Sequence, residues 1–318
     1  MKNYLLENKV NLLIKNNEQL KMTKKSWNII GQGCALAFTI DDKAINHKLV
    51  DECIDIIKDS TIIISKFRGI SMIYVATLLS FEDDKVGAFK VILEIFKTLK
   101  SQGFWGNDYL IIASLVIYKN RNKINIYTSV ENIKYIYDYM NQKHPYLTSS
   151  DDYCNAAIIS IYSTDLKRDL EYMEECYKFL NKNGLYKGNC LQAISQLLCL
   201  SNNRNMASCK NLISLIETLN KKSCKISYKN YSIFASIAMT EFEEVKIVNK
   251  IEHMSNEIKE YSDLNIWGRE KRNSISSYLV ISQHLDEKKD EYEKLINISQ
   301  FLCIASGVEE AIQASNTC

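Results

Sequence analysis

Leu99-Lys-Ser-Gln-Gly-Phe-Trp-Gly-Asn107 closes an amphipathic run and opens an apolar one, and Leu180-Asn-Lys-Asn-Gly-Leu-Tyr-Lys-Gly-Asn189 does the same further along. In each, a glycine follows directly on a helical pattern, where a left-handed C-cap is often needed. An asparagine then precedes the next apolar run, where an N-cap belongs. Both stretches therefore predict helix, tight loop, helix. Outward from them, apolar helix-like runs open near Ser26, Phe67, Asn107, Ser149, Asn189, Ser227 and Arg269. Their spacing of about 40 residues falls in the range of two-helix repeats.

Within a unit the two helices differ. Leu166, Leu170, Met173, Tyr177 and Leu180 recur at steps of three and four with charged residues between them, which predicts a helix buried on one face. Val245, Val248, Ile251, Met254, Ile258 and Tyr261 repeat that pattern. Runs such as Tyr109 to Tyr118 and Tyr231 to Met239 are apolar all round and predict helices buried on every side. Gly268 is expected to act like Gly103 and Gly184, and Ser227 and the Thr148 to Asp151 cluster as N-caps. Trp105, Leu147, Tyr186, Ile226 and Trp267, shortly before the caps, are expected to pack as hydrophobic staples. The expectation is one all-α helical-repeat domain over 1–318. About seven antiparallel hairpins and a capping helix near Lys288 to Ile304 make it up, as an open solenoid or a closed toroid, with the last dozen residues frayed.

Composition supports helix. Pro145 is the only proline and there are ten glycines, so few residues break long helices. The 40 basic and 38 acidic side chains leave a formal charge of +2, which gives no global field for nucleic acid or anionic lipid. The ten cysteines lie mostly within apolar patterns and form no C-x-x-C pair, the usage of buried thiols in a reducing compartment. Glu7, Asn8, Lys9, Asn11, Lys15 and Asn16 interrupt the first residues, leaving no signal-peptide core. No uninterrupted apolar run reaches the roughly 18 residues of a membrane span. A cytoplasmic protein is expected, and the abundance of Lys, Asn, Ile and Tyr fits the AT-rich coding of a low-GC bacterium.

At Leu147-Thr-Ser-Ser-Asp-Asp-Tyr153, and again at Gly188-Asn-Cys-Leu-Gln-Ala-Ile-Ser-Gln-Leu-Leu198, the chain resembles a bacterial family catalogued as a domain of unknown function, number four thousand and three. The resemblance extends over nearly the whole length, although Cys154 stands where that pattern has a proline. It implies the architecture and brings no activity or catalytic residue.

Candidate chemistry is sparse. His47, His144, His253 and His284 lie in four different repeats without a metal-ligand spacing, and His253 with Glu257 at i, i+4 is the bland surface pair. Cys154 and His144 are the nearest candidates for a thiol nucleophile and its base, which would require an exposed thiol of lowered pKa. Asp151 and Asp152 could serve acid-base work or hold a divalent cation, but they also stand where helix caps belong. Gln102 to Asn107 looks like the glycine-aromatic loops of α/α toroid enzymes of the terpene cyclase and prenyltransferase type, without their Asp-x-Asp-Asp motif or zinc set. No nucleotide-binding glycine motif, recognition helix or zinc finger occurs. No cofactor and no metal are expected.

Charge alternates between the loops. Those inside hairpins carry Lys66, Lys143, Lys187, Lys222, Lys225 and Arg272; those between hairpins carry Asp42, Asp83, Asp165, Glu244 and Asp286. Lys119, Arg121 and Lys123 break the rule. Helix-end solvation accounts for the alternation, and a basic edge at the second-helix N-termini could also take an anionic ligand. The leading expectation is a scaffold that binds a protein or peptide, with no membrane and no nucleic acid partner. Trp105, His144, Asp151, Asp152, Lys187, Lys222, Lys225 and Arg272 are the candidate binding residues. The alternative is an enzyme with its site in a toroid cavity, which a large polar pocket lined by second-helix N-termini would favour.

Overall fold

A computed structural model describes residues 2–24, 28–261 and 268–316; Ser26, Trp267 and Cys318 lie outside them. The described residues form fifteen α-helices and no strand. In chain order they are α1 (Lys2–Lys21), α2 (Asn28–Ile40), α3 (His47–Asp59), α4 (Met72–Leu79), α5 (Lys85–Ser101), α6 (Asp108–Asn120), α7 (Ile126–Lys143) and α8 (Tyr153–Tyr162). They continue with α9 (Leu166–Lys182), α10 (Asn189–Leu198), α11 (Ala207–Lys221), α12 (Ile233–Ala238), α13 (Glu244–Lys259), α14 (Arg269–Asp286) and α15 (Lys289–Asn316). Three short 3-10 turns precede α4, α8 and α12.

The helices fall into two compact units: a larger one, Leu12–Tyr162 with Gln300–Cys318, and a smaller one, Met1–Asn11 with Ser163–Ser299. In the larger unit α3 packs on α4, α5 on α6 and α7 on α8. There α3, α5 and α7 also touch in series, α2 touches α4, and α6 lies along α8. The smaller unit repeats this arrangement with α9 on α10, α11 on α12 and α13 on α14; α9, α11 and α13 follow one another, as do α10, α12 and α14.

Burial follows the two patterns. In α9, Leu170, Met173, Cys176, Tyr177 and Leu180 are buried and the charged face is outside, whereas every residue of α6 from Leu110 to Tyr118 is buried. Each fully buried Leu or Ile contributes about 1.5–3 kcal/mol of transfer free energy, so these runs hold the units together.

The glycine turns explain where the chain departs from expectation. Gly103 (φ +92°) and Gly184 (φ +102°) do take left-handed conformations. After α9 the amide of Gly184 donates to the carbonyl of Asn181, and that of Leu185 to the carbonyl of Leu180, which is a Schellman closure. That motif turns the residue immediately after the glycine onto the helix. Phe104 and Leu185 are accordingly buried, while the expected staples Trp105 and Tyr186 are 74% and 82% exposed. Gly268, at φ −57°, is instead the N-cap of α14, and Gly188 rather than Asn189 is the N-cap of α10.

α15 is the one described helix long and apolar enough to cross a membrane, but 67% of its apolar stretch is buried within the protein. It kinks at Tyr292 and stays helical to Asn316, through the stretch expected to fray. All nine described cysteines are free thiols, eight of them buried.

Candidate functional site

The loop from Leu200 to Met206 in the smaller unit is polar, Ser-Asn-Asn-Arg-Asn after the leucine, and too short of apolar residues to hold itself by packing. Two tethers fix it. The buried Asp169 carboxylate accepts Arg204 Nε at 2.8 Å and Nη2 at 2.5 Å, and its other oxygen accepts Ser163 Oγ at 2.6 Å. Met206, in the left-handed region at φ +60°, donates its amide to the Tyr172 hydroxyl at 3.1 Å.

Held in this way, the loop walls a pocket of about 500 Å³. Asn202, Asn203, Asn205 and Asn211 supply amides and Ser201, Ser208 and Thr240 supply hydroxyls, over an apolar floor that includes Leu200, Met239, Tyr292 and Leu295. Two bases, Lys288 and Lys294, are offset by two acids, Glu241 and Glu291. Lys294 donates to the carbonyl of Leu200 at 2.9 Å, and burial holds its pKa below the usual lysine value. Lys288 is exposed, 3.4 Å from Glu291, and that partner raises its pKa. The pocket thus has no net charge and many groups that both donate and accept.

Behind Thr240 stands His284. Its Nε2 is 3.1 Å from Thr240 Oγ1, its ring stacks on Tyr292 at 6.5 Å, and burial holds its pKa below the ordinary 6.5. The folded protein therefore binds the proton less readily than the unfolded chain. The stability this confers is complete above about pH 6.5 and is lost as pH falls from there toward the folded value. Thermal melts at about pH 7 and about pH 5 should show a smaller loss for His284→Gln than for the unsubstituted protein. Equal losses would remove His284 as a source of the acid sensitivity.

The residues singled out from the sequence fall into two sets, one in each unit. In the larger unit the amide of Trp105 donates to the Tyr153 hydroxyl at 3.3 Å, which brings the Trp105 loop beside the start of α8. Asp152 closes a capping box there, its Oδ2 accepting the amide of Ser149 at 3.0 Å, and Asp151 accepts the Ser149 hydroxyl. His144 ends α7. Cys154 is buried, and burial pushes its thiol up to about 12, the wrong direction for a nucleophile. In the smaller unit Asn273 Nδ2 donates to the carbonyl of Lys225, and Tyr228 Oη to the carbonyl of Tyr186. The loops of Lys187, Lys225 and Arg272 are thereby neighbours. Lys187 and Lys225 are exposed, Arg272 is half-buried, and Lys222 donates to Asn249 Oδ1 at 2.6 Å.

Two of the bases that broke the charge rule, Lys119 and Arg121, are paired with acids. Lys119 pairs with Asp41 at 2.9 Å and Arg121 with Glu82 at 3.0 Å in the larger unit. In the smaller unit Lys9 pairs with Asp286 at 2.9 Å. No group of three His, Cys, Asp or Glu among the described residues could hold a metal ion.

The profile of a family described as "Protein of unknown function (DUF4003)" matches residues 16–314. The uncharacterised protein YeaA of Bacillus subtilis (strain 168) is 21% identical over 220 residues, 67% of this chain and 64% of that relative. The chain therefore matches less than two thirds of the length of this curated relative. No solved structure matches.

Proposed function

The chain belongs to DUF4003, a family of proteins of unknown function, and from that premise we propose that it is a peptide-binding helical-repeat protein whose working surface is the pocket of the smaller unit. One observation carries the reading: four asparagine amides and three hydroxyls line a space of about 500 Å³ that bears no net charge. An asparagine side chain donates and accepts through one planar group, as a peptide group does, so an array of them matches a peptide main chain without demanding one side chain. A phosphorylated or strongly anionic ligand would call for unopposed bases, and Lys288 and Lys294 are offset by Glu241 and Glu291. The volume lies within the usual range for ligand pockets.

The lining comes from the loop between α10 and α11, the start of α11, the end of α12 with the residues after it, and the first turns of α15. It does not come from N-termini of the apolar second helices, and this favours binding over chemistry. The same reading takes the fifteen helices as about seven antiparallel hairpins and a C-terminal cap, in an open solenoid or a closed toroid. Nine free thiols support a reducing, cytoplasmic setting.

A peptide array probed with the purified protein tests it. Peptides should be retained, and their binding should weaken roughly tenfold in an Asn202→Ala, Asn203→Ala variant, since each lost hydrogen bond contributes about 0.5–1.5 kcal/mol. An empty array, or retained peptides indifferent to both substitutions, would end the proposal.

A further inference from the structure

Between α3 and α4 the chain reads Ser60-Thr-Ile-Ile-Ile-Ser-Lys-Phe-Arg68. Ile62, Ile63 and Ile64 are 69%, 84% and 84% exposed. The amide of Ser65 donates to the carbonyl of Ile62 at 2.9 Å, so Ile63 and Ile64 are the two central residues of a four-residue turn. Those positions ordinarily hold Gly, Pro, Asn, Asp or Ser, and two β-branched apolar residues there oppose local turn chemistry. The exposure is also enforced. Arg68 clamps the loop by donating Nη2 to the carbonyls of Lys58 and Thr61, and Nε to Thr61 Oγ1 at 3.1 Å. Phe67 anchors it, buried edge-on against Phe89 at 5.5 Å and Phe96 at 5.1 Å. The clamp and the anchor fix the flanks of the turn, with its isoleucines in solvent.

The surroundings are those of an interfacial anchor. Lys58 and Lys66 are exposed beside the turn, with Asp59 exposed next to Lys58 and Asp55, paired with Lys24, one turn earlier in α3. Ser71, at the start of α4, donates its amide to Asp108 Oδ1 at 2.9 Å, and Trp105 donates its amide to Tyr153 Oη. These bonds set the starts of α4, α6 and α8 side by side. The same edge of the larger unit thus also presents Trp105, Tyr146, Lys100 and Lys143, all exposed.

We propose that this edge docks on an anionic lipid bilayer, with Ile63 and Ile64 entering the acyl boundary and the flanking lysines meeting the headgroup phosphates. A bilayer receives protruding apolar side chains without a matching cavity, Trp and Tyr settle at headgroup depth, and each Lys near an anionic surface adds to the attraction. A protein partner would have to supply a cleft shaped to a turn that stands clear of its own surface on nearly all sides. The near-neutral net charge, which spoke against a membrane, averages over 318 residues and conceals this local cluster.

Co-sedimentation of the full chain with phosphatidylserine–phosphatidylcholine vesicles, and with pure phosphatidylcholine, decides the matter. The protein should pellet with the anionic vesicles and release as salt rises. Ile63→Ser with Ile64→Ser should weaken partitioning roughly a hundredfold with an unchanged thermal midpoint, since neither side chain packs. Lys58→Glu with Lys66→Glu should weaken it and blunt the salt response. No pelleting with anionic vesicles would overturn the proposal, as would pelleting that the serine variant retains. A dimer in sedimentation velocity that the serine variant abolishes, without vesicle binding, would reassign the turn to a second copy of the chain.

Discussion

Replacing Asp169 by alanine should cost the smaller unit about 3–5 kcal/mol, the loss expected when one partner of a buried ion pair is removed. Its carboxylate is buried and takes three hydrogen bonds, two from Arg204 and one from Ser163. Without it the Arg204 guanidinium keeps only partial access to water and loses its counter-charge, next to Lys294, which also interacts with Asp169. Lys294, which lines the pocket, and Arg204 are left as interacting cations without that carboxylate. The urea midpoint should fall sharply, and peptide binding should vanish even where the protein remains folded. Asp169→Leu combined with Arg204→Met should recover much of the stability but not the binding, because it removes both charges while freeing the loop. An unchanged midpoint in Asp169→Ala would show that the Met206–Tyr172 tether holds the loop alone.

The second large effect is expected in the larger unit. Gly33 and Gly307 face each other across the Tyr74 hydroxyl, and a Cβ on Gly307 would lie 2.3 Å from that oxygen and 3.4 Å from the Gly33 Cα. Two effects compete in Gly307→Ala. Alanine gains up to about 1 kcal/mol of helix propensity over glycine. The overlap, against a ring with no route to solvent, costs about 1–3 kcal/mol or more. Overlap prevails, so the variant should be destabilised by about 2 kcal/mol net. Tyr74→Phe removes the offending oxygen, and among the described residues the hydroxyl has no hydrogen-bond partner to lose. Gly307→Ala with Tyr74→Phe should therefore regain the original stability or exceed it. Chemical denaturation of the two single variants and the double variant measures this coupling, and strict additivity would refute it.

The fold was legible where local chemistry decides it. Asn107 caps α6 by accepting the amide of Leu110, Gly103 and Gly184 take their left-handed turns, and the steps of three and four in α9 mark its buried face. Legibility failed by one residue at Trp105 and Tyr186, because the direction in which a turn sends the next side chain depends on the closure after the glycine. The pocket carried no sequence signal. Asn202 and Lys288 stand far apart in the chain, no spacing links them, and their loops lie among those that carry the acids of the charge pattern. The Ile62–Ile64 run was visible in the sequence, but a short apolar run is ordinarily core, and only the turn and the Arg68 clamp place it outside.

The larger unit is assembled from segments distant in the chain: Cys303 Sγ reaches the carbonyl of Gly33, Cys154 Sγ that of Phe301, and Gly307 meets Tyr74. A ribosome delivers Gly33 and Tyr74 long before it delivers residues 300–316. During synthesis the nascent larger unit therefore waits with the α2 and α4 faces uncovered until residues 300–316 have been made. Helices that packed only on their neighbours in the chain would instead fold progressively as they emerged. Here α15 completes that unit, and a chain that stalls short of residue 300 leaves its apolar faces for chaperones and proteases to find.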